Sequence, residues 1–394
     1  MVKLKIKLIW LIKMVKIKDN IVRWFIKNVV MPRQEIIDKP GFIVCQFTEK
    51  GKETYLRELI VSESLFAQIE TEFIKKFGDK GRQALYSAGK KFGYRYALIS
   101  NFPTIKETSE KDFENFIYMF MRYIETMWSS GISHSIDFKT KEYDVKLNDY
   151  IICRKNGIGH FMLEGCVSGY WEFCIDDETV EGIQIKCTGR GDDYCELICA
   201  PYKVLSEKRL NVIKEKSLEN LELGKNYRTI NAIRNTVYAK RSFQYLVNAG
   251  FFKHSGGVVI FGDERYFGCE ASIIYLLEDE IKKLKNGENI LFDVCFKFGK
   301  KLVEEQRDKV SKDFIMDYMS ALGWGDILIK KKEGKNMAIS NLFPWTKFSK
   351  DCNFVVYKGL LSGLLSGFLG NHILLKKVET HLSSEGFAVI VSEI

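Results

Sequence analysis

The sequence is poor in the residues that break or disorder a polypeptide chain. Its 394 residues include only 5 prolines, whereas 46% are apolar and 13% are aromatic. A mainly disordered protein is therefore excluded, because disordered segments are rich in proline and charge and poor in aromatic residues. Long flexible linkers are not expected either. A chain of this length has room for two domains, each with its own hydrophobic core.

Apolar runs long enough to cross a membrane are missing too. The first run, residues 8–12, is also too short for a secretory signal, and Lys13, Lys16 and Lys18 follow it in place of a cleavage site. We therefore expect a cytoplasmic protein that is at most peripheral to a membrane. The ten cysteines would stay reduced there, so a close pair of cysteines indicates a metal site rather than a disulfide bond.

Motifs for nucleotide and nucleic-acid chemistry are absent as well. The sequence has no P-loop, no Gly-x-Gly-x-x-Gly fingerprint, and no helix-turn-helix, zinc-finger or RNP pattern. Its five histidines lie in no setting that suggests a Ser-His-Asp triad. No nucleic acid is therefore expected as a partner, and whether the chain is an enzyme stays open.

Positive charge is concentrated at the N-terminus. Residues 1–31 contain eight lysines and arginines against Asp19 alone, which is +7 of the formal net charge of +9. Apolar residues that include Trp10 and Trp24 alternate with these cations, as in a segment that lies on an anionic membrane surface. A helix that packs on the protein with its lysines in solvent would give the same pattern. We treat residues 1–40 as a basic amphipathic N-terminal arm.

The apolar spacing over residues 41–202 predicts an α+β domain. A hairpin at residues 42–52 precedes three helices, which begin at Ser62, near Lys80 and at Ser109. Two strands, a helix at residues 161–174 and a second hairpin follow. This order favours one antiparallel sheet packed with helices. Residues 203–250 read as a helical connector.

The same pattern begins again after the connector and predicts an internal duplication. A constant shift of 194 residues superimposes three glycines of the first unit on three later glycines: Gly131 on Gly325, Gly165 on Gly359 and Gly169 on Gly363. A shift of 210 residues places Gly89 on Gly299. Because a shift held over this many positions is hard to obtain by chance, we interpret residues 251–394 as a degenerate second copy.

Two cysteines and a histidine stand out in the first copy. Cys187 and Cys195 flank a turn between two strand-like runs, so a tight hairpin would bring both sulfurs to one end. His160 lies where the preceding helix begins. Because zinc prefers thiolate and imidazole ligands, these residues would supply three of its four ligands. Most other cysteines are interpreted as small buried hydrophobes, namely Cys45, Cys153, Cys174, Cys199, Cys269, Cys295 and Cys352.

Two motifs in this region resemble a known family. They are the helix motif Gly165-x-x-Ser168-Gly169-Tyr170 and the hairpin motif Cys187-x-x-x-Gly191-Asp192-x-x-Cys195. Over roughly residues 41–200, the chain resembles the 4-vinyl-reductase domain. That family includes the sensor domains of phenol-responsive NtrC-type regulators and stand-alone archaeal proteins, and it shares its fold with TRAPP tethering subunits.

The resemblance implies a zinc site in the first copy. In the zinc-binding sensor members, the ligands are a Cys before the glycine-containing helix, a Glu three residues before the first hairpin Cys, and both hairpin cysteines. The matching positions here hold His160, Gln184, Cys187 and Cys195. Because glutamine is a poor zinc ligand, Glu181 and Cys166 stay open as alternatives for the fourth ligand. The second copy has Phe354, Val378, His381 and Val389 at these four positions, so we expect no metal there.

The resemblance also implies a function. We expect two tandem 4-vinyl-reductase-like domains that pair within the chain as a pseudo-dimer, with zinc in the first domain only. Such a protein would bind a small apolar, aromatic or tetrapyrrole-like ligand as a sensor or carrier, acting as a homo-oligomer or through a signalling partner. An enzyme or accessory protein of vinyl-group or tetrapyrrole reduction is the first alternative. A membrane-associated tethering or scaffold protein is the second.

Overall fold

The computed structural model describes residues 35–49, 52–215, 218, 238–255, 258–341, 353–383 and 386–393. The predicted amphipathic arm falls almost wholly on residues 1–34, which lie outside the described residues, and so does much of the predicted connector. Within the described residues, no helix is long and apolar enough to cross a membrane.

The first half of the chain contains two groups of strands with helices between and after them. The described residues begin with β1 (Glu35–Lys39), β2 (Phe42–Glu49) and β3 (Lys52–Ser62). The helices α1 (Glu63–Phe77), α2 (Asp79–Ile99) and α3 (Glu110–Trp128) follow. Next come β4 (Gly131–Asp137), β5 (Glu142–Asn148), α4 (Cys153–Asn156), α5 (Phe161–Ile175), β6 (Val180–Lys186), β7 (Cys195–Pro201) and α6 (Tyr202–Glu207).

The second half repeats much of this order. It begins with α7 (Phe243–Asn248), β8 (Lys253–Ser255), β9 (Val258–Phe261) and β10 (Glu264–Glu270). The helices α8 (Ser272–Ile281), α9 (Gly287–Glu305) and α10 (Lys312–Ala321) follow. The last elements are β11 (Asp326–Lys332), β12 (Lys335–Asn341), α11 (Val355–Leu369), β13 (Leu375–Ser383) and β14 (Gly386–Glu393).

The predicted helix starts are set by serine caps. The Ser62 side chain accepts a hydrogen bond from the Leu65 amide at 3.2 Å, and the Ser109 side chain accepts one from the Asp112 amide at 3.2 Å. Each cap satisfies a backbone N–H that has no partner within its helix. The starts predicted for α1 and α3 are therefore confirmed.

The strands form three antiparallel sheets, which confirms the α+β class. Two four-stranded sheets have the same internal order, β4-β5-β7-β6 in the first half and β11-β12-β14-β13 in the second. A six-stranded sheet, in the order β1-β2-β3-β10-β9-β8, joins the halves. The expectation of one sheet for residues 41–202 is wrong, because the opening hairpin belongs to this shared sheet. The free edge of β3 pairs with β10 instead of with β4.

The first half is held together by a close crossing of α2 and α5. A Cβ atom at Gly165 would overlap the carbonyl oxygen of Tyr86, and one at Gly169 would overlap that of Lys90. Only glycine allows two helix backbones to approach this closely. The glycine spacing of the sequence therefore has a packing reason.

The matching crossing of α9 and α11 corrects one detail of the predicted repeat. Gly299 faces the carbonyl oxygen of Leu360, whereas Gly93 faces that of Cys166, which lies 194 residues earlier. Gly299 therefore corresponds in its contacts to Gly93, with a shift of 206 residues, and not to Gly89. The predicted alignment is therefore off by four residues, which is about one helical turn. Because Gly89 and Gly93 are themselves four residues apart, the sequence alone does not show which of them matches Gly299.

Two carboxyl groups lie opposite each other where the halves meet. Glu58 of β3 is paired in register with Glu270 of β10. Arg95 donates a hydrogen bond to Glu270 at 2.7 Å. Burial, followed by the charge of Glu270, raises the pKa of Glu58 to about 8. The junction between the halves therefore holds a proton at neutral pH.

Replacing Gly165 by alanine should destabilise the protein by about 3 kcal/mol, because the new methyl group must separate two helices. Chemical denaturation of Gly165→Ala beside Glu114→Ala, a change on the exposed side of α3, would measure this. Equal stability of both variants would contradict the close crossing.

Replacing Glu58 by glutamine should stabilise the protein at high pH. The folded-state pKa of Glu58 lies above its ordinary value of 4.5, so its ionisation destabilises the folded chain as the pH rises towards 8. We expect the free energy of unfolding of Glu58→Gln to exceed that of the wild-type protein by about 2 kcal/mol at about pH 9 and to equal it at about pH 5. Glu114→Gln is the matched exposed control. A less stable Glu58→Gln protein at high pH would contradict the buried carboxyl pair.

Candidate metal centre and aromatic interior

A turn after β5 brings a third cysteine towards the cysteine hairpin. Asp149 and Ile152 have positive φ angles of 46° and 82°, which bend the chain sharply between β5 and α4. The Ile151 amide donates to the Trp128 carbonyl at 3.0 Å, and the Ile152 amide donates to Glu63 at 3.2 Å. Because these bonds fix the turn, Cys153 begins α4 instead of extending the strand.

The hairpin between β6 and β7 presents the other two cysteines. Cys187 follows β6, Cys195 begins β7, and a 3-10 turn at Thr188–Arg190 lies between them. The Asp192 carboxylate accepts the Cys187 amide at 2.8 Å. Gly189 packs so closely on the Cys153 carbonyl that a Cβ atom would not fit. The hairpin tip and α4 are therefore in direct contact.

These two segments form a cluster of three thiols. The Sγ atoms of Cys153, Cys187 and Cys195 lie within 4.8 Å of one another, and all three residues are 0% exposed. Among the described residues, this is the only group of three or more His, Cys, Asp or Glu side chains that is arranged to hold a metal ion. A buried Cys153/Cys187/Cys195 cluster could therefore bind a metal.

Hydrogen-bond donors surround the sulfurs. The Gln184 amide nitrogen lies 3.3 Å from Cys153 Sγ, and Thr188 Oγ1 lies 3.5 Å from Cys195 Sγ. Hydrogen bonds from Cys153 and then Cys187 lower the pKa of Cys195 to about 3. The pKa of Cys153 is raised well above its ordinary value by its hydrogen bonds to Cys187 and Cys195, and the pKa of Cys187 is raised as well. Cys195 is therefore the thiolate of the cluster, and thiolate is the form in which cysteine binds metals.

Two of the four predicted ligands lie in the cluster and two lie beside it. Cys187 and Cys195 are brought together as predicted from the hairpin. The structure places His160 elsewhere: its Nδ1 atom lies 2.7 Å from Glu70, and its nitrogens do not join the three sulfurs. Gln184 borders the cluster through its amide nitrogen. The third sulfur comes from Cys153, which the sequence interpretation had assigned to packing.

Neither alternative for the fourth ligand lies in the cluster. The Glu181 carboxylate accepts hydrogen bonds from Tyr86 at 2.6 Å and from Lys90 at 2.9 Å. Cys166 is not part of the three-thiol group. In the second half, Val389, at the position that matches Cys195, is buried. The side chain of His381, at the position that matches Cys187, lies outside the described residues.

A buried lysine holds the hairpin to the helix pair. Lys90 of α2 donates to the Val180 carbonyl at 2.9 Å, and it forms ion pairs with Glu181 at 2.9 Å and Glu172 at 3.1 Å. Burial raises the pKa of Glu172 to about 7 in spite of the nearby Lys90 charge. This network fixes the start of β6 against α2 and α5.

An aromatic interior fills the space between α2, α3, α5 and β5. Tyr143 stacks on Trp171 with ring centroids 4.8 Å apart. The Tyr170 ring lies 5.6 Å from both Phe102 and Phe120. The hydroxyl groups of Tyr143 and Tyr170 are buried and have no hydrogen-bond partner among the described residues. Burial also raises the pKa of both hydroxyls well above the ordinary value.

Comparison with known proteins gives little guidance. No protein-family model and no curated protein matches the sequence. Among solved structures, the chain is similar to the crystal structure of the phenol-responsive sensory domain of the transcription activator PoxR with phenol. That match has 16% sequence identity and a TM-score of 0.34, and it covers 45% of this chain and 90% of that chain. A likeness of this size assigns neither a family nor a function.

Proposed function

We propose that the chain is a small-molecule-binding protein, a sensor or carrier, that is stabilised by one zinc ion. In this proposal, Cys153, Cys187 and Cys195 hold the metal, and the aromatic interior of the first half takes an apolar or aromatic ligand. The observation that carries the ligand part is that the buried hydroxyls of Tyr143 and Tyr170 find no hydrogen-bond partner in the part of the chain that the structure describes.

The three-thiol cluster fits a zinc ion. Zinc–sulfur bonds of about 2.3 Å in a tetrahedral site place sulfur atoms roughly 3.8 Å apart, a separation that lies within the 4.8 Å limit on the three sulfurs. Donors from Gln184 and Thr188 already face two of the sulfurs. The ion would cross-link α4 to the β6–β7 hairpin, two segments that already meet at Gly189 and through the contact of Gln184 with Cys153.

The aromatic interior offers the groups that a ligand with an apolar body and one polar group would contact. A buried hydroxyl that lacks a partner costs about 1–3 kcal/mol, so buried hydroxyls normally find a protein, water or ligand partner. Tyr143 and Tyr170 present two such hydroxyls among aromatic rings. A ligand hydroxyl or carbonyl could satisfy them while its ring replaces aromatic contacts.

The proposed metal and the proposed ligand would both bind along the same four-stranded sheet. On β7, Cys195 pairs with Leu147 and Cys199 pairs with Tyr143, so the strand runs from the thiol cluster to the aromatic interior. A metal that fixes the start of β7 would also fix the position of Tyr143 on β5. We therefore assign the zinc a structural role in holding the ligand site.

We further propose that the two halves are tandem copies of one domain that pair as a pseudo-dimer. The equal strand orders of the two four-stranded sheets support this. So does an equivalent contact: Glu70 accepts the Met162 amide at 3.0 Å, and Glu278 accepts the Val356 amide at 2.8 Å, where Met162 and Val356 are 194 residues apart. The β3–β10 pairing would then be the pseudo-dimer contact.

Removal of one cluster sulfur should release the metal. We expect about one zinc per chain in the wild-type protein and in Cys174→Ala, a buried thiol outside the cluster. Cys153→Ala should lose the metal and unfold at a lower temperature. His160→Ala should keep the metal, because its ring pairs with Glu70. Elemental analysis and thermal unfolding of the four proteins would measure this, and zinc retained in Cys153→Ala but lost in His160→Ala would contradict the assignment.

A ligand hydroxyl should strengthen binding in the aromatic interior. We expect phenol to bind about tenfold more tightly than toluene, because its hydroxyl can pair with Tyr170. Tyr170→Phe should weaken phenol binding and leave toluene binding unchanged. Tyr266→Phe is the matched control, because its hydroxyl lies 2.9 Å from that of Tyr318 in the second half. Fluorescence titration of the wild-type protein and of the two variants with each ligand would measure these affinities. Equal binding of phenol and toluene by the wild-type protein would contradict the proposal.

A further inference from the structure

Gln184 touches both the thiol cluster and the start of α5. Its amide nitrogen lies 3.3 Å from Cys153 Sγ, and its amide oxygen accepts the backbone N–H of His160 at 3.0 Å. The residue is only 3% exposed. Both ends of the side-chain amide are therefore engaged inside the protein.

The orientation of this amide is fixed by its neighbours. Exchanging its oxygen and nitrogen would place an NH2 group against the His160 N–H, so that two donors would face each other. The Gln184 backbone is held as well, since its N–H donates to Glu164 at 3.0 Å and its carbonyl accepts from Arg190 at 3.0 Å. A Cβ atom at Gly159 would lie 2.9 Å from the Gln184 oxygen, so the site leaves that oxygen little room to move.

We infer that Gln184 is a hydrogen-bond donor to the Cys153 sulfur and not a metal ligand, so that the metal keeps one coordination position for an external ligand. This inference rests on the proposed metal site. The oxygen that could coordinate the ion already accepts a backbone hydrogen bond, and the nitrogen that faces the cluster is a donor. No histidine nitrogen or carboxylate among the described residues joins the three sulfurs.

Charge selects the class of external ligand. Three thiolates and one divalent ion carry a net charge of about −1, so another anion would be disfavoured in this buried site. An amide donor near a thiolate stabilises that charge without adding to it. The position therefore favours a neutral donor, namely water or a nitrogen base such as imidazole. The zinc would then bind an external ligand in addition to its structural role.

Cobalt(II) substitution tests the inference directly, because the visible spectrum of cobalt reports its ligands. The wild-type protein loaded with Co²⁺ should show thiolate-to-cobalt charge-transfer bands, and added imidazole should shift the d–d bands in a saturable manner. Gln184→His provides a neutral nitrogen donor at the same position, which should coordinate the ion and make the spectrum insensitive to added imidazole. Gln184→Ala should stay sensitive and bind Co²⁺ about tenfold more weakly, because the N–H donor to Cys153 is lost.

The outcomes separate this inference from the metal site itself. Cobalt bound by the wild-type protein with a spectrum that imidazole does not change would overturn the open position and leave the three-thiol site intact. If imidazole changes only Gln184→Ala, the Gln184 oxygen is the fourth ligand. Failure of the wild-type protein to bind Co²⁺ at all would overturn the metal site, and the open position with it.

Discussion

The close crossing of α2 and α5 is the constraint on which the first half depends. Glycines at Gly165 and Gly169 let the two helix backbones touch, and no larger side chain fits there. The crossing places Lys90 between Glu172 of α5 and Glu181 of β6. A lysine removed from water must be paired, so this network fixes the hairpin strand to the helix pair. The cysteine hairpin takes its position from β6.

The candidate metal centre follows from that placement. With β6 fixed, the hairpin tip reaches α4, and Gly189 lets it contact the backbone of Cys153. The same α5 carries Tyr170 and Trp171 into the aromatic interior, where they meet Tyr143 of β5. One helix crossing thus positions both the thiols and the buried hydroxyls of Tyr143 and Tyr170. The proposed metal-stabilised site for an apolar ligand would account for both features together.

The sequence predicts the local parts of this arrangement and misses the remote ones. Cys187 and Cys195 could be paired from sequence because a hairpin is a local structure. Cys153 could not, because the sequence pattern predicts a strand over residues 142–153 that runs through it. The bend seen in the structure needs positive φ angles at Asp149 and Ile152, neither of which is glycine. The Asn148-Asp149 pair was the available signal, since both residue types favour turns.

Contacts between segments that are distant along the chain also explain the other differences between the sequence predictions and the structure. His160 was a reasonable ligand by its position, but Glu70, which lies 90 residues away along the chain, binds its ring. The pairing of β3 with β10 joins segments about 200 residues apart, and no local pattern of either strand predicts it.

The measurement that tests the central claim most directly is X-ray absorption at the zinc edge of the purified protein, which counts the sulfur atoms bound to the metal. The account predicts three sulfurs at about 2.3 Å and one lighter atom. Two sulfurs with two nitrogen or oxygen neighbours would return His160 to the ligand set and remove Cys153 from it. A protein that carries no zinc would contradict the metal centre altogether.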